Sequence, residues 1–281
     1  MREIPFETVV QTVADLFMEA NYVIGEDITC ALRGARAAEA SPVGRDVLDQ
    51  ILENNQIARE ERVAICQDTG MAVLFARMGS DLHIAGGTLP QAVDEGVRRA
   101  YAQGYLRKSV VDDPLFDRVN TKDNTPAILH VELCEGDRLE LCAAPKGFGS
   151  ENMSAVKMLV PADGVEGVVR FVVDTVRAAG PNPCPPVVVG VGIGGSFEKA
   201  ALLAKKALTR PVDRPNPDPR YAQLEERLLE EINALGIGPA GTGGTTTALG
   251  VNIEQFPTHI AGMPVAVNIC CHAARHASAV L

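Results

Sequence analysis

An apolar strand, a cluster of glycines and a helix follow one another directly in the second half of the chain. The run Val187–Val191 is apolar and β-branched, which predicts a buried strand, and Phe197–Leu208 has the periodicity of a helix. The three glycines Gly190, Gly192 and Gly195 have the spacing of a dinucleotide-binding fingerprint. That fingerprint also needs a second strand ending in an acidic residue, and none precedes the proline-rich segment that follows. We therefore expect a close strand-to-helix crossing where only glycine fits, with nucleotide binding as the alternative.

The rest of the chain is patterned mainly as helices. The segments Ala127–Leu133 and Arg138–Ala143 read as strands around a turn, which predicts a hairpin. We expect an α+β fold, a mostly helical single domain over residues 1–281 with a small sheet. Further helices are predicted over Phe6–Phe17, Ala38–Arg59, Leu89–Gln103, Val165–Ala179 and Tyr221–Leu235.

Composition excludes several classes of function. The net charge of −10 argues against a nucleic-acid-binding or membrane-binding surface, because both need a basic footprint. The absence of tryptophan argues against base-stacking platforms. The first residues carry acidic side chains and helical periodicity, unlike an export signal. Seven cysteines, an odd number, fit a reducing compartment, so we expect a cytoplasmic protein.

Six of the seven cysteines fall into two groups. Cys66, Cys184 and Cys271 each lie at a junction between predicted elements, whereas Cys30, Cys134 and Cys142 are expected to be small buried hydrophobes. Three thiolates converging from distant parts of a chain suit an iron–sulfur cluster or a catalytic zinc.

Three loops combine glycine with reactive side chains. They are CQDTG from Cys66, KGFGSEN from Lys146 and GTGGTTT from Gly241. Glycine lets backbone amides approach an anion closely, so these loops are candidates for a shared anion-binding site. From the residues alone, the chain is predicted to be a metal or cluster enzyme that acts on a small anion.

These motifs, together with CPPVVVGVGIGG, GTGGTTTALGV and HIAGMPVAVN, resemble the α-type subunit of the iron–sulfur hydro-lyases, which include class I fumarate hydratases and L-tartrate dehydratases. The resemblance runs from about Gln11 to the C-terminus. It implies glycine-rich loops that converge on a [4Fe–4S] cluster held by Cys66, Cys184 and Cys271. Cys270 is then expected to be buried.

The resemblance also implies the site residues. Gln67, Asp68, Arg107, Gly149 and His259 are expected to bind a dicarboxylate substrate, and Asp68 and His259 are the catalytic candidates. A planar guanidinium such as that of Arg107 suits pairing with a carboxylate. An open iron would act as a Lewis acid on the leaving hydroxyl.

The chain differs from the single-chain members of this family in one respect. Those members continue past the last cysteine into a second domain. The chain is therefore expected to need a separate β subunit, in an α2β2 heterotetramer. The expected reaction is the reversible hydration of fumarate to L-malate, as in the tricarboxylic acid cycle. L-Tartrate dehydration is the alternative, and a nucleotide-binding oxidoreductase or an iron–sulfur carrier is an alternative of another class.

Overall fold

The computed structural model describes residues 1–281 and contains both helices and β-sheets. The chain divides into two units, each assembled from separate segments. The first unit comprises Met1–Ile24, Asn55–Phe148 and Arg275–Leu281, and the second comprises Gly25–Asn54 and Gly149–Ala274. None of the helices is of a length and hydrophobicity that would carry it through a lipid bilayer. The assignment of residues 1–281 to one catalytic domain stays a prediction.

The helices agree closely with the predicted periodicity. One predicted helix, Ala38–Arg59, is wrong at its start, because an earlier helix ends at Ala38 and the next begins at Pro42. Proline disfavours helical backbone in the residue before it, so Ser41 separates the two. The helices are α1 (Phe6–Tyr22), α2 (Glu26–Ala38), α3 (Pro42–Glu61), α4 (Leu89–Gln103), α5 (Phe148–Glu151), α6 (Gly164–Ala179), α7 (Phe197–Ala207) and α8 (Pro219–Asn233).

The strands form three sheets rather than the one small sheet expected. They are β1 (Arg2–Pro5), β2 (Val73–Gly79), β3 (Leu82–Ala85), β4 (Ile128–Cys134), β5 (Leu139–Ala143), β6 (Ala155–Leu159), β7 (Val187–Gly194), β8 (Ala248–Phe256), β9 (Met263–Cys270) and β10 (Ala277–Val280). Mixed α/β architecture is confirmed.

The first unit is built on a four-stranded sheet with the order β10-β5-β2-β4 and a small parallel sheet of β1 and β3. Helices α1 and α4 pack on each other through buried residues such as Val13, Phe17 and Val97. The predicted hairpin is wrong: β4 and β5 are consecutive in the chain, but β2 lies between them, parallel to β4 and antiparallel to β5. Alternation identifies a strand but does not identify its neighbour.

The second unit is built on a sheet with the order β6-β9-β7-β8. Strand β7 is buried along its whole length, and α7 packs across it. A Cβ atom on Gly190 would lie 2.1 Å from the Ala204 carbonyl oxygen, and one on Gly192 would lie 2.0 Å from that of Ala200. The expected close crossing is therefore present, and these two glycines serve packing between strand and helix.

The expected burial of Cys30, Cys134 and Cys142 needs correction, since Cys134 and Cys142 are only half-buried. Cys30 is exposed on α2, not buried, because it lies on the helix face opposite the buried Ile28 and Leu32. The proline-rich segment, residues 211–219, lies mainly at the surface, although Asn216 within it is buried and donates to the Ile253 carbonyl at 2.7 Å. Cys270 is buried, as expected.

Candidate functional site

The carboxylate of Asp68 is held by backbone amides at both oxygens. The Gly70 N–H donates to Oδ1 at 3.0 Å and the Phe148 N–H donates to Oδ2 at 2.8 Å. The Asp68 N–H donates in turn to Sγ of Cys66 at 3.4 Å. The loop that follows α3 thus presents a half-buried thiol and a fixed carboxylate two residues apart, while Gln67 between them is exposed.

Buried polar side chains from elsewhere in the first unit hold this loop. The Tyr101 hydroxyl lies 2.9 Å from both the Thr69 and Gly70 carbonyl oxygens, and burial raises the pKa of its phenol. Asn124 donates to the Gly70 carbonyl at 3.2 Å, and the Thr69 hydroxyl donates to the Arg107 carbonyl at 3.0 Å. The bonds from Tyr101 and Asn124 satisfy the carbonyls of Thr69 and Gly70, so these loop carbonyls do not need water as a partner.

Arg275 is a buried guanidinium beside the same loop. Its Nη2 donates to the Asp68 carbonyl, while Nε and Nη1 are buried without a hydrogen-bond partner. Unsatisfied buried donors on a cation favour an anionic ligand next to them. The sequence did not predict Tyr101, Asn124 or Arg275 as residues of this site, because a buried polar residue has no distinctive local pattern.

A cavity of about 450 Å³ opens beside Asp68 within the first unit. Its lining residues include Asp68, Arg107, Ser109, Arg118 and Phe148. The Arg107 side chain is exposed to solvent at this cavity. The structure therefore brings two of the predicted substrate-binding residues, Asp68 and Arg107, to one cavity, and it adds a second arginine, Arg118.

In the second unit, Cys184 and Cys271 belong to neighbouring loops. The His272 N–H lies 3.5 Å from the Cys184 carbonyl oxygen, and the Cys184 N–H donates to the Pro181 carbonyl at 3.1 Å. Cys184 has a positive φ of 55°, which is costly for a residue with a side chain and is concentrated at functional sites. The Cys184 side chain is exposed and that of Cys271 is half-buried.

The remaining predicted site residues also lie in the second unit. His259 is exposed in the turn between β8 and β9, and its Nδ1 accepts the Ala261 N–H at 3.2 Å. With Nδ1 as acceptor, the neutral ring carries its proton on Nε2, which is then a donor. Gly149 is exposed in α5, with open space where a Cβ atom would lie.

Glu151, in the KGFGSEN motif, serves to anchor that motif. Its carboxylate accepts from Nζ of Lys205 at 2.5 Å and from Nδ2 of Asn268 at 2.8 Å. Asn268 also donates to the Ser154 hydroxyl at 2.7 Å. This half-buried network connects the end of α5 to α7 and β9. It therefore fixes the position of the backbone at the exposed Gly149.

The glycine-rich GTGGTTT loop does bind an anion, but the anion is the chain's own Glu39. The carboxylate of Glu39 accepts the backbone N–H groups of Ser41, Thr245 and Thr246 at 2.9 Å each. Burial raises the pKa of Glu39, but these donors outweigh it and hold the pKa below the ordinary 4.5. A Cβ atom on Gly244 would lie 2.5 Å from Oε1, which explains the glycine there. The backbone N–H groups of Thr245 and Thr246 are therefore not available to bind a substrate anion.

The donor set fits an iron–sulfur cluster in chemical type. None of the seven cysteines forms a disulfide bond, an amide donates to the Cys66 sulfur, and Arg275 keeps buried donors for an anion. Such N–H donors to sulfur are typical of cluster sites. Cys66 lies in the first unit and the other two candidates lie in the second. Neither unit by itself holds three or more His, Cys, Asp or Glu residues placed to bind a metal ion.

Comparison with known proteins identifies the class to which this fold and site belong. The chain belongs to the fumarate hydratase family, whose model, described as "Fumarate hydratase (Fumerase)", matches residues 10–280. It is therefore a member of a family of hydro-lyases.

Two individual members of this family are similar to the chain over most of its length. The chain is 45% identical over 271 residues to a Methanocaldococcus jannaschii protein provisionally named L(+)-tartrate dehydratase subunit alpha, covering 94% of each chain. It is 36% identical over 254 residues to the L(+)-tartrate dehydratase subunit alpha of Escherichia coli K12, covering 89% of this chain and 83% of that one.

Proposed function

We propose that this chain is the α subunit of an iron–sulfur hydro-lyase that adds water to, or removes it from, a four-carbon dicarboxylate. The observation that carries the proposal is the Cys66–Gly70 loop. In it, a candidate ligand thiol and a carboxylate held by two amides stand together beside a cavity lined by arginines. Membership of the fumarate hydratase family supports a hydro-lyase reaction at this loop.

The proposed ligands of a [4Fe–4S] cluster are Cys66, Cys184 and Cys271. With three protein thiolates, one iron is left open and supplies Lewis acidity toward a leaving hydroxyl. The buried Nε and Nη1 of Arg275 support an anionic group next to the Asp68 loop. In this proposal the CQDTG and KGFGSEN loops converge on that group, and the whole chain, residues 1–281, acts as one catalytic domain.

The chain's own residues have separate roles in the proposed reaction. Arg107 pairs with a substrate carboxylate, because its exposed fork lines the cavity and bidentate pairing suits a carboxylate. Asp68 accepts the proton from the carbon next to that carboxylate. Two amides fix its oxygens, so proton transfer requires no reorientation of the carboxylate.

The other three residues complete substrate binding in the proposal. Gly149 offers its backbone amide to charge that develops on the substrate carboxylate, as preorganised donors do. His259 donates from Nε2 to a substrate hydroxyl, since its Nδ1 is already an acceptor. Gln67, exposed beside Asp68, contributes its amide to the dicarboxylate.

Fumarate and L(+)-tartrate are the two candidate substrates. The description of the family favours fumarate, and the names of the relatives, which match over most of their length, favour L(+)-tartrate. The relatives' naming as alpha subunits supports a separate β subunit for this chain, in the proposed α2β2 assembly. Seven cysteines without a disulfide bond support a cytoplasmic location.

The first experiment tests the cluster. Iron, acid-labile sulfide and the visible absorption spectrum are measured on protein reconstituted without oxygen, together with its candidate β subunit. Cys66→Ser, Cys184→Ser and Cys271→Ser should each lose most of the iron and sulfide. The matched control is Cys270→Ser, next to one candidate ligand but buried in the core, which should retain them. Full cluster content in all three variants would disprove the ligand set.

The second experiment tests the reaction. The reconstituted complex is supplied with fumarate, L-malate and L(+)-tartrate, and the products are quantified by NMR. Turnover of fumarate and L-malate alone supports the hydratase, and formation of oxaloacetate from L(+)-tartrate supports the dehydratase. A complex with a full cluster that converts none of the three would contradict the proposed substrate class.

A further inference from the structure

Strand β4 forms an open edge of the sheet in the first unit. It pairs in parallel with β2 on one side, and no strand follows it in the order β10-β5-β2-β4. The Ile128 N–H donates to the Ala72 carbonyl and the Cys134 carbonyl accepts the Ser80 N–H, so these residues direct their backbone groups toward β2. Alternate residues of a strand bond to opposite sides. The backbone groups of Leu129, Val131 and Leu133 therefore lie on the open edge.

Two of the three residues that face this edge, Val131 and Leu133, have exposed apolar side chains. Leu133 is 76% exposed and Val131 is 49% exposed, although both lie on the sheet face that carries the buried Leu74 and Ala76. Monomeric proteins protect an edge strand with charged side chains, a proline, a bulge or a covering segment. Strand β4 has seven residues in unbroken register with β2, contains neither lysine nor proline, and carries one charge, Glu132, which lies 3.9 Å from Arg77 on the face opposite Val131 and Leu133.

The sequence of β4, ILHVELC, is complementary to itself when it is reversed about Val131. In an antiparallel pair of two copies centred on Val131, His130 of one copy lies opposite Glu132 of the other. The same register pairs Leu129 with Leu133 and Ile128 with Cys134. Every cross-strand pair is then either apolar or of complementary polarity, and such pairs stabilise a sheet.

The backbone directions are compatible with the same register. In a pair centred on Val131, the residues whose N–H and C=O groups face outward lie opposite one another, in three pairs that each exchange two hydrogen bonds. The pair of His130 and Glu132 is then of the non-hydrogen-bonded kind, in which side chains approach most closely. A register shifted by two residues would keep the backbone bonds but would place His130 opposite His130.

We propose that β4 is the interface between two copies of this chain, which join their four-stranded sheets into one continuous sheet through antiparallel pairing centred on Val131. This assigns the contact between α subunits in any assembly with a partner. It does not rest on the proposed hydro-lyase function, and its test measures oligomeric state and not activity.

The test begins with sedimentation velocity of the purified full-length chain over a range of micromolar concentrations. The wild type should sediment as a dimer in equilibrium with monomer. Val131→Pro removes an outward N–H without removing a bond to β2, so the dimer dissociation constant should rise about tenfold or more. His130→Glu places two carboxylates opposite each other and should have a similar effect. The double variant His130→Glu/Glu132→His restores complementarity and should recover dimerisation.

A crosslink tests the register directly. Val131→Cys places two thiols across the two-fold axis, where paired Cα atoms about 5.5 Å apart suit a disulfide. Mild oxidation should give a covalent dimer in which mass spectrometry finds residue 131 linked to residue 131. The matched control is Val156→Glu, at an exposed position of the edge strand β6 in the other unit, which should leave dimerisation unchanged.

Circular dichroism and thermal unfolding of each variant distinguish loss of the interface from loss of the fold. A wild-type chain that stays monomeric throughout would overturn the proposal. So would a dimer that survives Val131→Pro and His130→Glu in folded protein, or one that is lost in Val156→Glu.

Discussion

The Phe148 amide donates to the Asp68 carboxylate at 2.8 Å across 80 residues of sequence. The residue after Phe148 is Gly149, whose own amide is a proposed substrate ligand. The proposed base and the proposed amide donor are therefore linked through one hydrogen bond and one peptide unit. Displacing either the CQDTG loop or the KGFGSEN loop should disturb both.

Asp68→Asn should reduce the turnover of the reconstituted complex about 100-fold or more, because a carboxamide cannot accept the proton. The cluster spectrum should be preserved, since no ligand changes. The matched control is Asp117→Asn, at an exposed position of the same unit, which should keep full turnover. Unchanged turnover in Asp68→Asn would assign the base to another residue.

Tyr101→Phe should lower the free energy of unfolding by about 1–3 kcal/mol, because the carbonyls of Thr69 and Gly70 lose a buried donor. Urea denaturation measures this change. Tyr105→Phe is the control, since Tyr105 is 95% exposed and its variant should stay within about 0.5 kcal/mol of wild type. Equal stability of the two variants would mean that the hydroxyl of Tyr101 does not hold the loop.

Stability should depend on the ionisation of Glu39 under acid conditions. Because the pKa of Glu39 is lower in the folded chain than its ordinary 4.5, its stabilising contribution is complete above pH 4.5. That contribution is lost as the pH falls from 4.5 through the lower folded pKa.

Glu39→Gln tests this dependence. At neutral pH the variant should be about 1–3 kcal/mol less stable, because an amide group replaces one acceptor oxygen in front of backbone donors. The difference from wild type should shrink below pH 4.5 in urea titrations. Glu53→Gln, at an exposed site on α3, is the control and should run parallel to wild type. A constant difference at every pH would contradict the ionic role.

Gly192→Ala should destabilise the second unit severely, by about 3 kcal/mol or more, because its Cβ atom has no room beside the Ala200 carbonyl. Gly34→Ala provides a control of opposite sign. Gly34 lies within α2 with nothing within 4 Å of a Cβ atom, so alanine should stabilise the helix by up to about 1 kcal/mol. Thermal unfolding should show a lower melting temperature for Gly192→Ala and an equal or higher one for Gly34→Ala.

The sequence predicted the helices and the strand-to-helix crossing that short stretches of residues determine. The periodicity of Phe6–Phe17 and the glycine spacing after Val187 led to α1 and to the β7–α7 crossing, because helix face and glycine fit are encoded within a few residues. The pairing of β2 with β4 and β5 was not predictable in this way. It depends on segments more than 50 residues apart, and a strand does not specify its partner locally.

In the candidate site, too, the residues within local motifs could be predicted and those from distant segments could not. The motif residues Cys66 and Asp68 could be named from the sequence, and Asp68 does face a cavity with Arg107. The residues that hold them, such as Tyr101 and Arg275, come from distant segments and carry no motif of their own. Glu39 reversed an expectation, because a glycine-rich loop has the same composition whether its anion is a ligand or a side chain of the protein.

The position of β10 has a consequence for how the chain folds during synthesis. Strand β10, at residues 277–280, pairs with β5 in a sheet whose other strands are made before residue 135 or soon after it. The second unit's residues 149–274 leave the ribosome in between. The unit that contains the first residues therefore acquires its last strand only after the other unit has been synthesised in full. Until then the outer edge of β5 remains open on the nascent chain, where a chaperone can bind it.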